Sequence, residues 1–381
     1  MFRKKWLLIL YWLISRCKWY QSNQRNRDRK IKDNNSYYRL IISDKRSLYT
    51  FHKTIGFNLP YKKEQLNKDF IYFSQIADGV VEAGQFRGAY QGSSVFNLKK
   101  FFNRLEFIIP NTSFYFDKNN AISKSSEANI SDAVVAVGKI LASDDKSGEF
   151  LIDADGLFLS ETFTRIKWPK YPGQSPLAFS LGKFDKGKSK VEEIKNYPEN
   201  TNIKTEYVYS NPSVLNGGSE AVTDGRNVSI KVFHTFMNMP EEDYKPRMDD
   251  ARVGYFLTET NDMTTTKTIN YRDMIHRWKL VKKNPDAALS EPVTPITWWI
   301  ENTTPLKWRE TIKEGVLAWN VAFEKAGFKN AMVVKVQPDD ATWDAGDVRY
   351  NVLRWTSSPN PPFGGYGPSF VNPRTGEILG A

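Results

Sequence analysis

Three histidines, His52, His234 and His276, and the single cysteine Cys17 are the residues best suited to metal or nucleophilic chemistry. A catalytic zinc needs three protein ligands converging at about 2 Å, and a common helical arrangement places two histidines four residues apart around a glutamate. No two histidines have that spacing, so the chain contains no HExxH sequence. His234 falls on the apolar face of the alternating run that begins at Val228. This pattern predicts a core histidine, and we interpret His52 and His276 in the same way.

Other catalytic patterns are equally scarce. No serine lies in a GxSxG sequence, so no nucleophile elbow is predicted. Neither GxGxxG nor a P-loop sequence occurs, so no phosphate-binding loop is predicted. The run Asp153-Ala154-Asp155-Gly156 lacks the further acidic ligands of a calcium loop, and we predict a hairpin turn there. The pairs Asp249-Asp250 and Asp339-Asp340 are interpreted as solvated loop charges. Arg247 and Arg252 beside Asp249-Asp250 predict a structural ion-pair network, with a binding site as the alternative.

The positive charge is concentrated at the N-terminus. The formal net charge is +11, and residues 1–46 contain thirteen Lys and Arg against three Asp, which leaves the rest of the chain nearly neutral. A neutral body argues against binding to a phosphate backbone as the main function. The basic stretch is therefore interpreted as a solvated leader in preference to a nucleic-acid-binding arm.

The first twenty residues resemble a targeting segment. Arg3, Lys4 and Lys5 precede an apolar run at 6–14 that is too short to span a bilayer. No small-x-small cleavage site follows. Arg16 directly before Cys17 does not fit the cleavage sequence of a lipoprotein signal peptide. We predict a signal-like or anchor segment at 1–20 and a basic polar linker at 21–46. Export to the periplasm, the cell exterior or the outer membrane is expected, with possible membrane association through this segment; a misassigned start is the alternative.

Residues 47–289 have the pattern of a mostly antiparallel β-rich domain. Short runs of alternating apolar residues, rich in β-branched and aromatic types, are separated by turn residues. The clearest predicted strands are 48–51, 69–73, 113–116, 133–137, 149–152, 204–209 and 227–232. A short helix is predicted at 189–196, and the segment 271–283 is assigned as a strand, with a short helix as the alternative.

The pattern changes at residues 290–381. A strand at Ile296–Ile300 is followed by a helix predicted from Thr304, as N-cap, to Gly327, and by strands at 331–336 and 350–355. Apolar residues recur on one face of this helix, namely Trp308, Ile312, Val316, Trp319 and Phe323. Strand, long helix, strand, strand indicates an α/β unit with a right-handed crossover, so the whole chain is assigned to the α+β class.

The last ninety residues resemble the opening of the metzincin-type domain of large bacterial, often Bacteroidetes, secreted zinc-dependent metalloproteases. The sequences that carry the likeness are 290–293, 304–305, 322–331, 347–355, 366–369 and 372–379. Upstream, Arg247 with residues 250–256 resembles the domain of unknown function that precedes the catalytic domain in that family. The resemblance implies a chain truncated before the HExxH helix, whose histidines and glutamate would follow beyond residue 381.

The resemblance implies an N-terminal portion of a metallopeptidase that is inactive by itself. It implies peptide or protein substrates for the full-length family, and zinc as that family's cofactor, but it assigns neither catalytic nor metal-binding residues to this chain. Ser369, Phe370 and Val371 match the edge strand that would pair with extended substrate. A terminal strand of purely structural role is the alternative for these three residues. A metal-free pseudo-protease and a secreted β-rich module that binds polysaccharide or protein are the alternative functions.

Overall fold

The structure is a computed structural model that describes residues 51–53, 56–144, 146–240, 243–359, 361 and 363–381, with the backbone alone for residues 51–60. The predictions for residues 1–46 and 48–50 lie outside the described residues. Within them, three α-helices and twenty strands form. The helices are α1 (Asp155–Phe158), α2 (Leu306–Leu317) and α3 (Asn320–Lys325). The strands are β1 (Phe51–Lys53), β2 (Gly56–Lys62), β3 (Asp69–Asp78), β4 (Tyr90–Phe101), β5 (Arg104–Ile109), β6 (Phe114–Tyr115), β7 (Ala133–Asp144), β8 (Glu149–Asp153), β9 (Lys183–Phe184), β10 (Lys190–Asn196), β11 (Asn200–Ser210), β12 (Asn227–Asn238), β13 (Leu257–Thr258), β14 (Asn261–Asp262), β15 (Met274–Ile275), β16 (Ile296–Ile300), β17 (Met332–Val336), β18 (Asn351–Leu353), β19 (Phe370–Val371) and β20 (Ile378–Gly380).

One large sheet dominates the chain, as the alternating pattern predicted. Its strands follow the order β1-β2-β8-β7-β5-β4-β3-β12-β11-β10, with β9 also pairing β11, and every neighbouring pair is antiparallel. Side chains from β2 through β12 meet in one aromatic-rich cluster, which requires the sheet to curve around it. The mostly antiparallel, β-rich assignment is confirmed.

The central strands of this sheet are covered on both faces. Tyr72 and Phe96 belong to the main cluster, whereas Ile71 and its cross-strand partner Val95 lie on the opposite face and are each only 1% exposed. In a strand with water on one side, buried and exposed residues alternate. In β3, the consecutive residues from Ile71 to Phe73 are all buried. The opposite face is therefore packed against another part of the chain.

Residues 296–353 form a smaller parallel unit. β16 pairs in parallel with β17 on one side and with β18 on the other. α2 and α3 connect β16 to β17, as a parallel pair requires. The Asn320 side chain accepts a hydrogen bond from the Met332 N–H at 2.8 Å and donates one to the Met332 carbonyl at 3.0 Å, which fixes α3 to β17.

The observed helical segment differs from the predicted helix over 304–327 in two respects and agrees with it in a third. It begins after Pro305, because buried Thr304 uses its own N–H to bond the Glu301 carbonyl and does not serve as the cap. It breaks after α2, where the Trp319 N–H bonds the Val316 carbonyl three residues back, and Trp319 is consequently 63% exposed. Its end is as predicted, since Gly327 adopts φ +88°. In the described part of the chain, no helix is long and apolar enough to cross a membrane.

Three other predictions are corrected. The segment 189–196 is not a helix, since Lys190–Asn196 is strand β10, held by pairing with β11 and by cross-strand ion pairs such as Lys190–Glu206 at 2.7 Å. Asp155-Gly156 is the start of α1 and not a hairpin turn, because Leu157 and Phe158 turn into the core. Of 271–283, only Met274–Ile275 forms a named strand.

Candidate functional site

The predicted substrate-facing residues lie at a short hairpin near the end of the chain. Phe370 and Val371 form β19, which pairs antiparallel with β20 along one edge. Among the described residues no strand pairs with the other edge of β19, and Ser369 immediately precedes the paired residues. An unpaired edge presents backbone N–H and C=O groups that an extended peptide can engage.

The turn between β19 and β20 holds the hairpin rigid. The Asn372 N–H bonds the Glu377 carbonyl at 2.9 Å, and the Gly376 N–H bonds the Asn372 carbonyl at 3.0 Å. Gly376 adopts φ +73°, and a Cβ added there would lie 2.6 Å from the Ile275 carbonyl oxygen. Only glycine fits this conformation at this separation.

Phe370 anchors β19 to the large sheet. Its ring stacks on Phe73 of β3 with centroids 4.2 Å apart and planes 17° from parallel, and it also contacts Tyr90 at 5.5 Å. Burial raises the pKa of Tyr90 to about 12. Arg374 in the hairpin turn binds Asp69 at 2.5 Å, at the start of the same strand β3. The hairpin therefore covers the second face of the sheet, and its open edge has a fixed position.

The loop before β19 is also anchored. Gly364, Gly365 and Gly367 lie in this loop, and none of the three has a left-handed φ. The rings of Phe363 and Tyr366 meet Phe86 edge-on, with centroids at 4.7 and 5.0 Å. The Tyr90 N–H donates to the Tyr366 hydroxyl at 3.2 Å. Aromatic contacts thus offset the flexibility of the glycines.

A second contact joins residues 344–348 to β10 and β11, at one end of the strand order of the large sheet. Asp344 accepts hydrogen bonds from Lys195 and Tyr197, both at 2.6 Å. Burial by itself raises the pKa of Asp344, but the hydrogen bonds from Lys195 and Tyr197 outweigh it and leave the pKa lowered. The Gly346 carbonyl accepts from the side-chain amides of Asn200 at 2.9 Å and Asn202 at 2.8 Å.

The run from Asp347 to Tyr350 has a structural role in this arrangement. Asp347 is fully buried and binds the Arg349 guanidinium at 2.6 Å and 3.0 Å. Tyr350 stacks on Trp343 with centroids 3.8 Å apart. These contacts shape the loop that reaches Asn200 and Asn202.

The histidines do not come together. His234 is fully buried and bonded to the Tyr72 hydroxyl at 2.9 Å and the Tyr207 hydroxyl at 3.0 Å, as predicted for a core residue. Burial lowers its pKa to about 3, so it stays neutral and cannot act as a base near neutral pH. His276 contacts Thr258, and His52 lies in β1. Within the described residues, no group of three or more His, Cys, Asp or Glu side chains is placed to hold a metal.

The charged residues near Arg247 form a smaller arrangement than predicted. Arg252 binds Asp250 two residues away at 2.6 Å, and the arginine side chain is 86% exposed. Residues 253–256 form no strand, and β13 begins at Leu257. This is a local exposed pair, which contributes little to stability.

The surface that receives the hairpin was not predicted from the sequence. The sequence around Asp69 and Phe73 contains no pattern that predicts a contact with residues about three hundred positions away. One signal was available, because the run from Phe70 to Phe73 is apolar without alternation, and such a strand is buried on both faces.

The comparisons with known proteins give one match. A family model described as "Domain of unknown function (DUF5117)" matches residues 88–283, just over half of the chain. The match begins just before β4 and ends before residue 290. It therefore supports the upstream domain of unknown function that the resemblance implied, and no more of that resemblance. No curated protein and no solved structure matches significantly.

Proposed function

We propose that this chain, which belongs to the DUF5117 family, is the N-terminal portion of a secreted bacterial zinc metallopeptidase of the metzincin type. In this proposal the chain holds extended peptide along β19 and does not hydrolyse it. The observation that carries the proposal is the unpaired edge of β19, fixed by the stacking of Phe370 on Phe73.

Peptide binding by strand addition fits the geometry of this edge. Main-chain hydrogen bonds supply affinity in that mode, and they require an edge strand that does not move when the peptide arrives. Phe370 and Arg374 provide this rigidity through their contacts with Phe73 and Asp69. The ligand class is therefore an unfolded or extended segment of protein, with little dependence on its side chains.

We expect no peptide hydrolysis by this chain because its histidines lack the spacing of a zinc site. Peptide hydrolysis by a metzincin needs a zinc-bound water and a general base, and this sequence contains no HExxH to supply them. After dialysis we expect less than one zinc per chain by elemental analysis. One tightly bound zinc per chain would refute this part of the proposal.

The binding test uses synthetic fluorescein-labelled decapeptides that tile a casein sequence, with anisotropy as the readout. The substitution Phe370→Pro would not isolate the effect of a lost backbone N–H, because it also removes the ring that stacks on Phe73. Ser369→Pro is the sharper variant, since it stiffens the entry to β19 and removes one N–H, and Ser369→Ala is its matched control. We expect Ser369→Pro to weaken binding at least about tenfold, the equivalent of one to two hydrogen bonds. Equal binding by both variants, or none by the unmodified chain, would overturn the proposal.

A different binding function is favoured by two exposed aromatic residues. Trp168 and Tyr171 are 64% and 68% exposed on a proline-containing loop, and Arg165 lies over the Trp168 ring at 5.8 Å. Such rings can stack on sugar faces, as the polysaccharide-binding alternative requires. Retention on an insoluble polysaccharide that is lost in Trp168→Ala and kept in Ser369→Pro would favour this function over peptide binding.

A further inference from the structure

The hairpin that joins β4 to β5 presents two aromatic rings to solvent. Phe101 is 53% exposed and Phe102 is 81% exposed, and their rings meet edge-on with centroids 4.7 Å apart. Burial of phenylalanine side chains stabilises a fold, so two adjacent exposed rings forgo a large stabilisation. They lie at the tip of the hairpin.

The backbone at this turn makes phenylalanine an unfavourable choice. The two strands are joined by only Phe102 and Asn103, and Phe102 adopts φ +49°. Two-residue hairpin turns favour Gly, Asn or Asp at positions with positive φ, because a bulky side chain is strained there. An exposed aromatic in a strained turn fits a functional role better than a structural one.

Positive charge surrounds the two rings. Lys99, Lys100 and Arg104 flank them along the hairpin, and Lys139 lies directly opposite Arg104 on β7. All four side chains are exposed. Glu106 binds Arg104 at 2.6 Å, and the Arg104 guanidinium also lies 5.2 Å from the centre of the Phe101 ring.

Besides Glu106, acidic groups lie on one flank of this surface. Glu127 and Asp132 share with Lys99 the lining of a polar cavity of about 630 Å³. The Asp132 carboxylate there accepts a hydrogen bond from the Asn111 N–H at 2.9 Å. Lys100 and Lys139 remain around the rings, together with Arg104, which is paired with Glu106. The sequence between Lys99 and Arg104 contains no acid.

We propose that this hairpin tip binds the surface of an anionic lipid bilayer. Phe101 and Phe102 enter the boundary between headgroups and acyl chains, while the flanking lysines and Arg104 contact lipid phosphates. Apolar rings beside basic groups are the features by which interfacial segments bind anionic membranes. This surface is separate from β19, and it would hold the folded domain against the bilayer.

The first test compares sedimentation of the full chain with two kinds of vesicle. One contains phosphatidylcholine alone, and the other contains one part phosphatidylglycerol to two parts phosphatidylcholine. The variant is Phe101→Ser with Phe102→Ser, and the matched control is Trp168→Ser with Tyr171→Ser, an equally exposed aromatic pair elsewhere. We expect the hairpin variant to lose at least about tenfold in affinity for the anionic vesicles and the control to lose none. Lys100→Gln should lose roughly fivefold.

Because residues 1–46 could bind vesicles by themselves, a second readout reports on the hairpin directly. An environment-sensitive NBD label is placed at Phe102→Cys or at Trp168→Cys in a Cys17→Ser background. We expect a blue shift with anionic vesicles only for the label at position 102. Hairpin and control variants that bind equally well, a label at 102 that does not respond, or binding to a DNA oligonucleotide in place of vesicles would each overturn the proposal.

Discussion

The ring of Phe370 lies almost parallel to the ring of Phe73, with their centroids 4.2 Å apart, although 297 positions separate the two residues in the sequence. This contact explains why Phe73 is 1% exposed on the face of β3 that points away from the main core. It also ties the end of the chain to the centre of the large sheet. Any ligand that adds to β19 is thereby presented at a fixed distance from that sheet.

Phe370→Ala should loosen the hairpin and expose Phe73. Since Phe370 is only partly buried, we expect a loss of about 2 kcal/mol in unfolding free energy, below the range for a fully buried phenylalanine. Proteolysis within 356–369 should accelerate in parallel. Phe256→Ala is the control, because Phe256 is 86% exposed and its removal should change neither quantity. A variant as stable and as protease-resistant as the unmodified chain would contradict the anchoring role.

Two glycine substitutions should change stability in opposite directions. A Cβ at Gly346 would lie 2.4 Å from the Asn202 amide nitrogen, so Gly346→Ala should break the hydrogen bonds from Asn200 and Asn202 and cost about 1–2 kcal/mol. Gly315 lies in α2 with open space around its Cβ position, and Gly315→Ala should gain about 0.5–1 kcal/mol. Urea unfolding of both variants measures the difference, and shifts of the same sign would refute the interpretation of residues 344–348.

The elements that sequence reasoning predicted well are those whose pattern is local. β11 and β12 alternate apolar and polar residues over much of their length, and the glycine at position 327 marks the helix end by its residue type alone. Lys190–Asn196 was misassigned because KVEEIKN has good helix formers, whereas pairing of Ile194 with Ile203 on β11 decides its structure. The anchoring of Phe370 on Phe73 depends on tertiary packing, which no local pattern encodes. The strained Phe102 was missed for a similar reason, since backbone φ is a property of the folded hairpin.

His234 should make the protein sensitive to mild acid. Its folded pKa is about 3 because of burial, and an unfolded histidine titrates near 6.5, so the unfolded chain takes up the proton first. Stability is therefore complete above about pH 6.5 and falls as the pH drops towards 3, with a loss of about 2–3 kcal/mol at pH 4.5. Urea midpoints across this range measure the slope. His234→Gln should be less stable at pH 7 but should flatten the slope, whereas an unchanged slope would assign the acid sensitivity to other groups.

Glu377, next to β20 in the same hairpin, should have a pH dependence of the opposite sign. Burial raises the pKa of its carboxyl, the charge of Asp243 adds to that effect, and the charges of Lys279 and Arg277 oppose it without cancelling it. An acid with a raised folded pKa binds its proton more tightly in the folded state. Its contribution to stability is therefore largest below the unfolded pKa of about 4.3 and is lost as the pH rises through the folded pKa.

Glu377→Gln removes the buried charge and should raise the melting temperature at pH 7, with the gain shrinking as the pH falls towards 4, where the wild-type carboxyl is already protonated. Glu310→Gln is the control, because Glu310 is 75% exposed on α2 and its substitution should give no such pH-dependent gain. Melting curves at pH 7 and pH 4 decide the question. A loss of stability at pH 7 would mean that ionised Glu377 is held by Arg277 and Lys279, and that the hairpin depends on that charge.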